Sequence, residues 1–221
     1  DLAIICVPTP MSDDGSCDIS IVKSVFEWLN TPLILIKSSI PPLTTDLLQE
    51  LYPNLNIAFS PEYIGEGNYI VPVGKGYPDP TDMTKHEFVI LGGSKLVTSK
   101  IVLFFQKVLG ADARYFLTNS RTAELCKYME NAFLATKVTF CNEFFDIANL
   151  MAVDYNELRE MWLADGRIGR SHTLVYPDNR GFGGKCLPKD VNAIVKRVEG
   201  FKGTPTLLKA VLEANKKMRG E

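Results

Sequence analysis

In this 221-residue sequence, the run Gly181-Phe182-Gly183-Gly184-Lys185-Cys186-Leu187-Pro188-Lys189-Asp190 gathers the side chains best suited to covalent chemistry. Three glycines precede a cysteine, and a lysine and an aspartate follow it within about one helical turn. Glycine lets the backbone take positive φ and come close to a ligand. A thiol after such a loop, near a helix start and flanked by Lys185 and Lys189, is placed to ionise and act as a nucleophile. Asp190 could take a proton or orient a water beside it. The same residues also suit an ordinary glycine-rich turn with a buried thiol, and spacing alone leaves both readings open.

Other groups with chemical potential are scattered along the chain. Lys127 and Asn131 are four residues apart, so on a helix they share a face. They could stabilise a reacting oxygen together, or be a solvated lysine with a polar neighbour. Arg167, Arg170 and Arg180 fall in a loop-like stretch with His172, and could meet phosphates or be surface charge. The segments Val7-Pro8-Thr9-Pro10, Lys37-Ser38-Ser39-Ile40-Pro41 and Ser60-Pro61-Glu62-Tyr63-Ile64-Gly65-Glu66-Gly67 each follow an apolar run and carry polar groups that could face a cofactor.

Those apolar runs are the elements that must position the chemistry. Leu2-Ala3-Ile4-Ile5-Cys6-Val7, Leu33-Ile34-Leu35-Ile36 and Ile57-Ala58-Phe59 read as strands of a parallel sheet buried on both faces. A helix after Asp18 as cap carries Ile21, Val22, Val25, Phe26 and Leu29 at helical spacing. A short helix starting at Thr44 or Thr45 carries Leu47, Leu48 and Leu51. This strand–helix alternation predicts right-handed parallel crossovers, with ligands beyond the carboxyl ends of the strands. Residues 68–85, rich in Pro, Gly and Asp, read as a surface loop. Phe88-Val89-Ile90-Leu91 is a fourth strand. A helix from Ser94 closed by Gly110 follows, then a last strand over 113–117.

After Thr118 the character changes. No proline or glycine appears from Asn119 to Val153, and Leu125, Met129, Ala132, Phe133, Thr136, Phe140, Phe144 and Ile147 keep a helical stripe. One helix of about 30 residues would be roughly 45 Å long, a spine joining domains or subunits. Shorter helices are expected over 155–163, 188–198 and 205–218. The predicted fold class is α/β: a partial Rossmann-like parallel sheet over 1–118, then an all-α central dimerisation domain over 119–221.

The bulk composition narrows the partners. The chain is 46% apolar and 23% charged with net charge −2, so no basic surplus drives nucleic-acid binding. No apolar run reaches the roughly 18 residues of a membrane span. Five scattered cysteines without a CxxC pair suit reduced, cytoplasmic thiols. With only His86 and His172, no histidine-based metal site is expected.

Taken in order, the motifs resemble the UDP-glucose/GDP-mannose dehydrogenase family along nearly the whole chain. The three strand-end segments are similar to three family signatures, with Ser39 where the family usually has Thr. Glu124-Leu125-Cys126-Lys127-Tyr128 with Asn131-Ala132-Phe133-Leu134-Ala135 resembles the central-helix signature. Asp165-Gly166-Arg167-Ile168-Gly169 and the cysteine loop complete the set. The resemblance implies an NAD-dependent, two-step oxidation of a nucleotide-sugar primary alcohol to a uronic acid. It implies Cys186 as the nucleophile giving a thiohemiacetal and then a thioester. Asp190 would assist deprotonation through a water, Lys127 and Asn131 would stabilise the reacting oxygen, and Glu62 would be the base for hydrolysis. Ser39, Glu66 and Lys189 would lie near the nicotinamide half of NAD, with Thr9 also on the cofactor side. Backbone around Tyr63, Tyr176 and Gly183 would hold the sugar nucleotide. Arg167 would reach a substrate on the neighbouring subunit of a homodimer built on the long helix.

The loop from Arg180 to Cys186 resembles most the members acting on UDP-glucose, with GDP-mannose as the alternative. Two family features are missing from the sequence: a GxGxxG opening, and an acidic residue after a second strand to grip the adenosine ribose. Gly65 also stands where relatives commonly have Arg. By the resemblance, the chain would begin at the fourth strand of the nucleotide domain and end before the C-terminal domain. The alternative function is a non-catalytic, shortened homologue acting as a dimerisation or binding module.

Overall fold

The computed structural model describes residues 1–64 and 82–221, apart from the side chain of Met83. The chain divides into two compact units, Asp1–Tyr128 and Met129–Glu221. The division falls inside one long helix.

The first unit is a five-stranded sheet with helices. Strands β1 (Ala3–Ile5), β2 (Leu33–Ile36), β3 (Asn56–Phe59), β4 (Phe88–Gly92) and β5 (Arg114–Thr118) lie side by side in chain order. Helices α1 (Ser20–Trp28), α2 (Thr44–Leu51) and α3 (Lys95–Leu109) connect them. The pairs β1–β2, β2–β3 and β4–β5 are parallel, as the strand–helix alternation requires. The β3–β4 pair departs from the expectation: it is antiparallel, with Phe59 opposite Gly92. A parallel return needs a crossover, usually a helix, lying on the sheet. The intervening stretch is rich in Pro, Gly and Asp. Among its described residues it forms only a short 3₁₀ turn, Met83–Lys85.

Burial sorts the strands by position. Ile34, Leu35, Ile36, Ile57, Ala58 and Phe59 are buried, so β2 and β3 have both faces covered as expected. Strand β1 does not, since it is the edge of the described sheet and Ile4 is 40% exposed. One core packs Val22, Val25 and Phe26 of α1 and Leu48 of α2 against β2 and β3. A second packs Val97, Ile101 and Phe105 of α3 against Leu35, Ala58, Val89 and Leu91.

Ser94 caps α3 by accepting a hydrogen bond from the Val97 amide, as expected. Asp18 does not cap α1. Its carboxylate accepts instead from the Ser20 amide, and the cap position is Ile19, without a side-chain bond. Helix α2 begins after Leu43, which sits in the left-handed region at φ 76°.

The long helix α4 runs Ser120–Leu150, 31 residues without interruption. The second unit contains α5 (Tyr155–Trp162), α6 (Leu187–Gly200) and α7 (Thr206–Arg219). Ala132 and Ala135 of α4 pack with Phe182, Val191 of α6 and Val211 of α7. Farther along, Cys141 and Ala148 pack with Tyr155.

Candidate active site

Three loops leave the carboxyl ends of the adjacent parallel strands β1, β2 and β3, where ligands bind in sheets of this kind. The first two are tied together. The Ser38 hydroxyl donates to the Val7 carbonyl at 2.7 Å and accepts from the Val7 amide at 2.8 Å. The Thr9 hydroxyl donates to the Ser39 carbonyl at 2.9 Å. Thr9 and Ser39 are therefore neighbours.

Glu62 follows β3. Its carboxylate pairs with the Lys37 ammonium at 3.2 Å and accepts from the amides of Tyr63 and Ile64. Burial alone would raise its pKa. The Lys37 charge and the two amides outweigh burial and hold the carboxyl below its usual range, so Glu62 is ionised at neutral pH. Lys37, Ser60, Pro61, Glu62, Tyr63 and His86 line one small hollow. The Lys127 ammonium lies 5.2 Å from the centre of the Tyr63 ring, within cation–π range. The Tyr63 hydroxyl contacts the Cys126 sulfur at 3.9 Å. Glu66 lies outside the described residues.

A second cluster lies in the Met129–Glu221 unit. Cys186 occupies the N-cap position of α6 and is exposed, so the reading of a buried thiol in a plain turn is corrected. The positive end of a helix favours negative charge at this point. One turn on, the Asp190 amide donates to the Cys186 carbonyl at 2.9 Å. The Asp190 side chain is only 1% exposed. Such a carboxylate must be partnered. Its Oδ2 accepts from the Asn131 amide nitrogen at 2.5 Å, and its Oδ1 from the Lys189 ammonium at 2.5 Å. Two expected site residues, Asn131 and Lys189, thus meet on the buried carboxylate of a third, Asp190.

The glycine loop is shaped by close approach. Gly181 has φ 71°, and a Cβ there would stand 2.4 Å from Asn215 Oδ1. That oxygen accepts from the Phe182 amide at 2.7 Å, while the Asn215 nitrogen donates to the Phe182 carbonyl at 3.0 Å. Gly183 backs onto the Arg219 guanidinium, 2.8 Å from where a Cβ would be. The loop is thereby docked on α7. Upstream, Arg180 donates to Asn142 Oδ1 at 2.7 Å.

The remaining substrate-side candidates stand differently. Arg167 is 88% exposed and paired with Asp165 at 2.5 Å. Tyr176 is half exposed. The Arg167 turn is held from α4: the Lys137 ammonium donates to the carbonyls of Ile168 and Gly169 at 3.0 and 2.7 Å. Sequence reading passed over Lys137, Lys37 and the anchoring role of Glu124. A glutamate directly after a buried strand was the available signal that a cation such as Lys37 had to be near.

A mostly parallel sheet with polar loops at its strand ends, followed by a long helix and a glycine-rich loop, is an architecture of nucleotide-binding α/β proteins. The chain belongs to the UDP-glucose/GDP-mannose dehydrogenase family. Residues 1–102 match the family's NAD binding domain, and residues 121–217 match its central domain. A UDP-glucose 6-dehydrogenase of Rickettsia prowazekii is 32% identical over 225 residues, 98% of this chain and 49% of that protein. The structure of a UDP-glucose dehydrogenase from Pyrobaculum islandicum superposes with a TM-score of 0.82 at 29% identity, covering 98% of this chain and 50% of that one. That of a UDP-D-ManNAc dehydrogenase from Pyrococcus horikoshii gives 0.76 at 28%, with 98% and 50% covered. The chain therefore spans about half the length of the relatives it matches. The family's NAD binding domain indicates NAD as cofactor. The tied strand-end loops carrying Thr9 and Ser39 fit that role. Among the described residues, no helix is long and apolar enough to cross a membrane.

Proposed function

We propose that this chain carries the catalytic residues of a nucleotide-sugar dehydrogenase that oxidises UDP-glucose to UDP-glucuronate. The observation that supports this most is the exposed Cys186 at the start of α6, one turn before the buried Asp190 with Asn131 and Lys189 on its two oxygens.

NAD, when bound, supplies the hydride acceptor for each of the two oxidations at the sugar's primary alcohol carbon. Thr9, Ser39, Glu66 and Lys189 would hold it. In the first oxidation the hydroxyl proton leaves through a water to Asp190. Lys127 and Asn131 donate to the reacting oxygen and stabilise its charge. The Cys186 sulfur then bonds to the aldehyde carbon, giving a thiohemiacetal. The second oxidation turns that adduct into a thioester on Cys186. Water, activated by the ionised Glu62, adds to the thioester carbonyl; the C–S bond breaks, releasing carboxylate and restoring the thiol. Tyr63, Tyr176 and Gly183 would position the nucleotide sugar, and Arg167 would reach a substrate on a second copy. The nucleotide binder and the helical catalytic parts are assigned to residues 1–118 and 119–221.

Formation of NADH on adding UDP-glucose to the full-length gene product, lost in Cys186→Ser, tests the reading. Absence of NADH formation with every nucleotide sugar tried would overturn it and favour a non-catalytic dimerisation or binding module. Activity with GDP-mannose alone would correct only the substrate.

A further inference from the structure

The start of α2 is capped from a distance. Leu43, at its N-cap, is in the left-handed region and offers no side-chain cap bond. The orphan amides of a helix start must still find acceptors. Glu124, from the first turns of α4, supplies them. Its Oε2 accepts from the Leu43 amide at 2.7 Å, and its Oε1 from the Thr45 amide and the Thr45 hydroxyl, both at 2.7 Å. Glu124 is fully buried. The same turn of α4 grips α2 again at Asp46, which accepts from the Ser120 hydroxyl and, at 2.5 Å, from Arg121 Nε.

A structural cap could end there, but the bonds continue towards the cofactor-side loops. The Thr44 amide and hydroxyl donate to the Pro41 carbonyl at 3.1 and 2.6 Å. Ile40 is fully buried, and the Ser39 carbonyl accepts from Thr9. The backbone from 37 to 45 is thus pinned at Glu124 on one side and at Thr9 on the other. Glu124 also lies three residues before Lys127, on the same helix face.

We propose that Glu124 is a positioning residue: it sets the 37–41 loop, and with it Ser39 and Thr9, for the nicotinamide cofactor. The cofactor part rests on the dehydrogenase reading above. Glu124→Gln keeps the shape and leaves Oε1 to accept from Thr45, but turns an N–H towards the Leu43 amide. Thr45→Val is the milder companion, removing only the hydroxyl bond.

The test combines amide exchange, read by mass spectrometry on peptides spanning 37–42 and 43–51, with steady-state kinetics of the full-length gene product. In Glu124→Gln, exchange is expected to rise about tenfold in both peptides, the loss of one hydrogen bond to a charged group. KM for NAD is expected to rise about tenfold, with KM for the nucleotide sugar within about twofold of wild type. Thr45→Val should give smaller changes of the same pattern. Faster exchange confined to 43–51 would overturn the proposal, leaving only a helix cap. So would a KM for NAD that does not move, or equal rises in both KM values. If the wild-type protein forms no NADH, the dehydrogenase reading fails, and the exchange of 37–42 still decides whether Glu124 holds that loop.

Discussion

Asp190 shows how burial dictates company. A carboxylate this far from water costs several kcal/mol unless its lone pairs are filled. Asn131 and Lys189 fill them. Asn131→Ala should therefore lower stability by about 1.5–3 kcal/mol, the range for a lost bond to a charged group; urea unfolding monitored by circular dichroism would read it. A change below about 0.5 kcal/mol would mean that water replaces the amide. Glu62 gives the pH prediction. Its folded pKa lies below the ordinary value of 4.5, because the Lys37 charge and two amides outweigh burial. The stability it contributes is complete above about pH 4.5 and is lost as pH falls through the lower, folded value. Thermal melts at about pH 6 and pH 3 should show a smaller acid loss for Glu62→Gln than for wild type. An equal loss would contradict the pairing. Both carboxylates were legible as site candidates because they stand at the end of a strand or beside a nucleophile. The Lys37 pairing was not legible, because Lys37 follows its strand just as Ser38 and Ser39 do, and only the fold turns it towards Glu62.

At the scale of elements, the glycine loop ending in Cys186 is fixed by what lies behind it. Gly181→Ala would put a methyl group into Asn215 Oδ1 on a left-handed backbone. The expected cost is about 1–3 kcal/mol, read as a lower melting temperature. The same variant should slow NADH formation if the loop carries the nucleophile. An unchanged melting temperature would mean the loop relaxes freely. Helix α4 was readable from the sequence, since a stripe at helical spacing without proline or glycine admits little else. The edge position of β1 was not. Its apolar run matches those of β2 and β3, and only strand order decides which faces are covered. The cap of α2 was hidden for a related reason. Local signals place Thr44 and Thr45 at a helix start, whereas the acceptor is 79 residues away in sequence at Thr45.

At the scale of the molecule, α4 carries large apolar side chains into solvent: Met129 is 75% exposed, Phe133 62% and Leu150 89%. Exposed apolar surface of this kind marks contact sites. A homodimer through α4 is the expected occupant, and sedimentation velocity should show a dimer that Phe133→Asp weakens tenfold or more. A wild-type monomer at protein concentrations on the order of 100 μM would reject it. The proposed reaction turns on a covalent bond to Cys186. Rapid quench of the full-length gene product with UDP-glucose and NAD, followed by peptide mass spectrometry, should find a sugar-nucleotide adduct on the peptide containing Cys186, absent in Cys186→Ser. NADH formation at wild-type rate in Cys186→Ser, with no adduct in either protein, would contradict it.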